Sequence, residues 1–476
     1  MMATTLQNVI EELSLLGFES VLILGALALL IAGILFKDET TNKVIFSITL
    51  FASILLIDIK GTDIVSGTGA IHLDTLSGIL KILFGFISLW IIFFHIPLRR
   101  YEHYFLILSI IIGSSLMMSV NHLLLFYLAI ELTSLSSYLI TGFSFQKNSY
   151  EAAIKYLLFG GISSAIMIYG ISLIYGITGS FSLSEITLDP SAGPLFHVGI
   201  VCMMGGLFFK VGLVPFHFWV PSTYQQAPTD AVAILSIVPK IAGFTLLHRL
   251  LSEFELLVDP MYKQGIAIVG IITVLFGAFG ALRQENVKRM LAYGAIAHSG
   301  LILPTLLIAG EQGGLAFIWY VTIYAIMTMA IFMIVSMYED FGVKEMKDMK
   351  GIGIQYPFMG ALTLLILISQ VGLPPTAGFT AKFYLFSAIW NEYQVSGSPI
   401  MLSYLVVGLL SVVLALFYYL KISYQSFIGN TESPYFGNFS IISKSVVTIF
   451  TIMVLWIFIK PELLNKIAFN INFIGW

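Results

Sequence analysis

Apolar runs of eighteen or more residues recur along the whole 476-residue chain, separated only by short polar stretches. A run of that length suits a helix crossing the hydrocarbon core, which takes about 20 residues. About fourteen such segments are predicted, near 15–36, 44–60, 74–95, 103–119, 121–141, 153–177, 196–219, 229–249, 263–282, 288–309, 313–338, 358–390, 403–427 and 441–459. Composition agrees: 58% of residues are hydrophobic, 10% are charged and the mean hydropathy is +0.95. A soluble chain would carry about 25% charge. No loop is long enough for a soluble domain. The fold class expected is an all-α integral membrane protein.

Loop charges give an orientation. Lys37, Lys43, Arg99, Arg100, Lys147, Arg283, Lys288, Arg289, Lys344, Lys347, Lys350, Lys421 and Lys444 fall beside the odd-numbered loops. Only Lys60, Arg249, Lys263, Lys460 and Lys466 fall on the other side. Cations gather on the cytoplasmic face, so both termini are expected outside, in keeping with the acidic Glu11 and Glu12. Met1–Gln7 lacks the basic start of a cleavable signal, so none is expected. The single cysteine, Cys202, lies in an apolar run and reads as core packing; it excludes a disulfide framework. No phosphate loop, H-E-x-x-H pair or cysteine pair is present, which removes ATP hydrolysis and zinc catalysis.

Four of the most apolar segments nevertheless carry a charge. Glu131 lies in LLLFYLAIELTSLSSYLI, Lys210 in GGLFFKVGLVPFHFW, Lys240 in AVAILSIVPKIAGFTLL and Lys382 in PPTAGFTAKFYLFSAIW. A charge at bilayer depth costs roughly 2.5–3.5 kcal/mol on insertion scales, so it persists only when paired or in a wet cavity. Four instances point to ion movement, most simply of protons.

Two segments also look broken, and they match. Lys210-Val-Gly-Leu-Val-Pro215 in the seventh and Gln370-Val-Gly-Leu-Pro-Pro375 in the twelfth repeat Val-Gly-Leu-x-Pro at an offset of 160 residues. Proline removes a backbone donor and glycine tolerates the bend, and paired interruptions are the sequence sign of an inverted-repeat transporter. Segments four to eight and nine to thirteen would be the repeats. Five is odd, so the second must run inverted. The expected organisation is residues 1–102 (helices 1–3), 103–250 (first repeat), 251–428 (second repeat) and 429–476 (helix 14).

The stretch FFKVGLVPFHFWVPSTYQQAPTDAVAILSIVPKIAGF resembles the signature of the antiporter-like subunits of respiratory complex I, shared with multisubunit cation/proton antiporters. YEAAIKYLLFGGISSAIMIYG, ENVKRMLAYGAIAHSG and GLPPTAGFTAKFYLF resemble it too, so the likeness spans roughly residues 100–425. The size and Lys382, where the M-type relative has glutamate, are similar to the N type. The resemblance implies a proton-translocating membrane-arm subunit of NADH:quinone oxidoreductase in a bacterial inner membrane. Its partners would be other membrane-arm subunits and the bilayer, with protons as substrate and no nucleic acid. The chain itself would hold no NADH, flavin, iron–sulfur cluster or quinone.

By the same resemblance Glu131 is the glutamate that pairs with the seventh-helix lysine. Lys210 precedes the Pro215 break, whose freed carbonyls could hold its ammonium. Lys240, after Pro239 in mid-segment, reads as the central proton carrier. Lys382, past the second break, would lead to the exit or a neighbouring subunit. His298 could relay between Lys240 and Lys382, since a histidine titrates near neutrality, or be a bonded core histidine. Lys155 could join the relay or snorkel to the interface. His217 could serve cytoplasmic uptake or fill the bend. Lys81, outside the repeats, reads as structural or lipid-facing. Tyrosines and phenylalanines are expected as interface belts and gates. Two other readings stay open: a multisubunit sodium/proton antiporter subunit, and an organic-solute carrier, for which the breaks lined by Val, Leu, Phe and Gly offer few polar groups.

Overall fold

The computed structural model describes residues 14–36, 38–57, 64–66, 69–94, 100–186, 193–428 and 439–469. Met1–Gln7, Glu11, Glu12, Lys37, Lys60 and Arg99 lie outside the described residues. The N-terminal helices are α1 (Gly17–Leu35), α2 (Glu39–Leu55) and α3 (Thr75–Leu89), joined between the last two by a small hairpin, Ile64–Val65 with His72–Leu73. Next come α4 (Tyr101–Ser119), α5 (Leu123–Thr141), α6 (Lys147–Thr178), α7 (Gly193–Val211), the short α8 (Trp219–Gln226) and α9 (Thr229–Glu253). The second half holds α10 (Pro260–Leu282), α11 (Val287–Ile302), α12 (Glu311–Glu339), the short α13 (Ile352–Gln355), α14 (Pro357–Val371), α15 (Ala377–Ser396) and α16 (Pro399–Phe427). The chain closes with α17 (Ile441–Ile459) and α18 (Glu462–Phe469).

Among the described residues, 12 helices are long and apolar enough to cross a membrane. The two remaining expected segments are present in other forms. The second is α2, of 17 residues, which starts earlier than the hydropathy suggests because Asp38 caps it through the Thr41 amide at 2.9 Å. The twelfth is the interrupted pair α14–α15. The seventh also breaks where expected, between α7 and α8.

Contacts between helix ends support the alternation of sides. Ser144 reaches the Gln226 carbonyl on one face; on the other, Arg249 meets Asp74 and Lys263 meets Glu392. Each contact joins two ends that an alternating chain places on the same side.

Neighbour relations repeat between the halves. In the first, α4 pairs with α5, α6 runs along α7 and touches α8, and α9 packs on α4 and α7. In the second, α10 pairs with α11, α12 packs on α14 and α15, and α16 packs on α10 and α14. Helices α9, α11 and α12 are covered on nearly every side, while α16 turns Val406, Leu409, Val413 and Phe417 outward, as a lipid-facing surface requires. Close approach of α6 to α7 depends on Gly206, where a side chain would overlap Met167.

Candidate functional site

Each break ends a helix with a left-handed glycine, Gly212 at φ +74° and Gly372 at φ +88°. The last carbonyls of such a helix lack intrahelical donors and carry the negative end of its dipole, a natural seat for an ammonium. At the second break the seat is filled. Lys382 reaches back from α15 and donates to the carbonyls of Gln370 (3.0 Å) and Val371 (2.6 Å).

At the first break the expectation for Lys210 is corrected. The carbonyls there already accept other donors: Phe208 from the Leu213 amide, Phe209 from the Trp219 indole, Val211 from the Ser299 hydroxyl. The Lys210 amine turns to α5 and donates to Ser134 Oγ at 3.1 Å. Glu131, three residues before Ser134, is half-buried and accepts from the Ser164 hydroxyl of α6. No direct Glu131–Lys210 ion pair is present among the described residues; serines stand at both groups.

Lys240 is 1% exposed and donates to the Ala295 carbonyl of α11 at 2.9 Å, with the Tyr324 ring 5.8 Å away. Ser299 ties the two halves together: its single hydroxyl proton lies within reach of both Val211 O (2.9 Å), next to Lys210, and Ala295 O (3.0 Å), which also serves Lys240. Gly243, one turn beyond Lys240, lies against the Lys210 side chain. His298 meets Tyr320 Oη through Nδ1 at 2.8 Å and Tyr419 Oη through Nε2 at 3.4 Å. A cavity of about 10 Å³, the size of one water site, touches Ala295, His298, Tyr324, Thr328, Gln370 and Tyr419. It lies between the acceptor of Lys240 and that of Lys382. The result is a polar file through the protein core from Ser134 to Gln370.

The remaining candidates stand apart. Lys155 is exposed on the outer face of α6 and pairs with Glu151 at 2.6 Å, away from the buried file. His217 is buried in the first break against Phe276, and its Nδ1 meets no partner among the described residues. Lys81 does not face lipid: it forms a buried ion pair with Glu19 of α1 at 2.8 Å. Cys202 is half-buried where α7 crosses α6 at Gly170. Tyr320, Tyr324, Tyr404 and Tyr419 are core residues rather than interface belts. They and Ser299 escape sequence reasoning, because a tyrosine or serine in an apolar helix reads as ordinary packing.

Residues 120–412, more than half of the chain, match the family described as NADH:quinone oxidoreductase/Mrp antiporter, TM. The chain belongs to that family of membrane subunits. "NADH-quinone oxidoreductase subunit N 2" of Rhizobium meliloti is 34% identical over 84% of this chain and 85% of its own. Subunit N of Pelagibacter ubique is 36% identical over 78% and 79%. A chain of respiratory complex I from Thermus thermophilus superposes with a TM-score of 0.81 at 28% identity, covering 96% of this chain and all of that one. A chain of the Mrp complex from Dietzia sp. DQ12-45-1b has a TM-score of 0.84 at 18% identity over 97% and 96%. The family shares this fold across redox and antiporter assemblies, so the fold alone does not separate them. The subunit N names of these relatives agree with the N-type resemblance.

Proposed function

We infer that this chain is a proton-translocating membrane-arm subunit of NADH:quinone oxidoreductase, driven by redox chemistry in other subunits. The observation that carries the reading is the set Lys210, Lys240 and Lys382, each at most 5% exposed and each held by a hydroxyl or backbone carbonyl rather than a carboxylate. Amines held by neutral acceptors are not locked in the charged form and can hand a proton on. The proposed sequence runs from Lys210 to Lys240, through the single-water cavity and His298, to Lys382. Glu131 is the proposed switch. It lies on the half-covered α5–α6 face, where a neighbouring membrane-arm subunit can alter its contact with Ser164 and its field at Lys210. Lys155 and His217 take supporting places at that outer face and at the first break.

The units proposed are residues 1–102, 103–250, 251–428 and 429–476, with the second repeat inverted relative to the first because each contains five crossings. Both termini lie on the outer side of a bacterial inner membrane, as the loop cations indicate. The relatives above at 34–36% identity favour this assembly over a sodium/proton antiporter. Purification of the tagged chain in mild detergent tests the reading: NADH-oxidising, iron–sulfur-containing partners are expected, and a purely membrane-embedded set of partners would overturn it.

A further inference from the structure

The first turn of α9 holds a buried pair that the lysine file does not include. Asp230 Oδ2 lies 2.6 Å from His103 Nε2 of α4, with side chains 0% and 1% exposed. Asp230 Oδ1 accepts from the Ala231 amide, while His103 Nδ1 has no hydrogen-bond partner among the described residues. The connection from α5 to α6 lies against the pair through Phe143. The Phe143 ring lies 5.2 Å from the His103 ring and 5.1 Å from that of Phe145. Phe145 adopts φ +52°, strained for an aromatic residue, beneath the Arg100 guanidinium. Beyond these rings opens a cleft of about 440 Å³ lined by Glu102, Phe143, Phe145 and Tyr150.

Phe143, which packs on His103, follows a ladder of hydroxyls on α5. Thr141, two residues before Phe143, Ser137 and Ser134 are buried on one face of α5. Thr141 donates to the Ser137 carbonyl, Ser137 to the Thr133 carbonyl, and Ser134 accepts from Lys210. Seven residues of helix rise about 10 Å, so the ladder runs from the helix end to the first lysine.

We propose that His103 and Asp230 form a proton-loading site behind a Phe143–Phe145 gate, feeding Lys210 along Thr141, Ser137 and Ser134. This rests on the reading of Lys210 as the first lysine of the file and on the cytoplasmic placement of this face. When the aromatic pair parts, a hydronium gives one proton to the His103–Asp230 pair and leaves as water. The pair then releases that proton inward. Water admitted with the hydronium bridges the gaps between the Thr141, Ser137 and Ser134 hydroxyls, the first two of which donate to backbone carbonyls; each water and hydroxyl accepts one proton and passes on its own, and the neutral amine of Lys210 takes the last, so no net charge remains on the ladder. Other ionisable groups on the surrounding elements are Glu102 and Tyr104 of α4 and Arg100 before it; Lys288 and Glu339 meet at Thr229, the residue before Asp230.

The test uses the intact complex in inverted membrane vesicles, comparing H103Q, H103Q/F143A and K210M. H103Q is expected to assemble normally, keep NADH oxidation by a hydrophilic acceptor, and lose quinone-linked proton translocation by about tenfold or more. H103Q/F143A is expected to recover part of it, because water then reaches the ladder directly; a purely structural histidine would be worsened by the second change. Should H103Q fail to assemble, the near-isosteric D230N and D230N/F143A give the same comparison. Full translocation in H103Q, no recovery on opening the gate, or failure of both H103Q and D230N to assemble would overturn the proposal. K210M separates the two readings: its full translocation would refute the lysine file, whereas a K210M loss beside an unaffected H103Q refutes the loading site alone.

Discussion

At the residue scale, function depends on what each buried amine touches. Removing the Ser134 hydroxyl leaves the Lys210 ammonium without its hydrogen-bond acceptor, at a cost of about 1–3 kcal/mol. S134A is therefore expected to slow quinone-linked turnover and translocation together while artificial-acceptor activity stays normal; equal pumping in S134A and the parent would show that Ser134 does not matter. The lysines and Glu131 were legible in the sequence because a charge in a twenty-residue apolar run is too costly to be incidental. Their partners were not. Lys240 binds a backbone carbonyl 55 positions away, Ala295, and every residue has a carbonyl. Glu19 escaped notice because a carboxylate near the start of a segment reads as interfacial, and only the folded chain, with α1 packed on α2 and α4, buries it against Lys81. Asp230 likewise reads as an ordinary residue of a helix's first turn until α4 brings His103 to it.

At the element scale, the breaks matter more than the unbroken helices. The shared Val-Gly-Leu-x-Pro marked both interruptions, and glycine occupies a left-handed conformation at each. The different use of the freed carbonyls was hidden, since it depends on whether Ser299 and Trp219 arrive first. At Gly372 a side chain would meet both an unfavourable φ and the Lys382 stem. G372A should cost about 1–3 kcal/mol from backbone strain alone. Assembly, measured by native electrophoresis, and translocation should both fall. G265A in α10, where the space beside the glycine is open, should change neither. Equal behaviour of the two variants would mean that the second break does not need its present geometry.

At the scale of the whole molecule, a partly buried ion pair ties the N-terminal helices to α9. Asp74 caps α3 through the Ser77 amide and pairs with Arg249 at the end of α9, at 2.5 Å. Burial raises its pKa, but Arg249 and the Ser77 hydrogen bonds outweigh that and hold it below the usual carboxylate value. A depressed folded value contributes stability that is complete above the unfolded pKa and is lost as pH falls toward the folded one. Heat inactivation of the purified complex should therefore accelerate on acidification, and D74N should be less stable at neutral pH with a flatter acid profile. Parallel profiles for D74N and the parent would assign the acid sensitivity elsewhere. The most direct measurement of the lysine file is proton translocation by the assembled complex carrying K240A. With NADH as donor and quinone as acceptor, pumping should fall by about tenfold or more while NADH oxidation by a hydrophilic acceptor is unchanged; undiminished pumping in a fully assembled K240A complex would contradict the proposed route through Lys240.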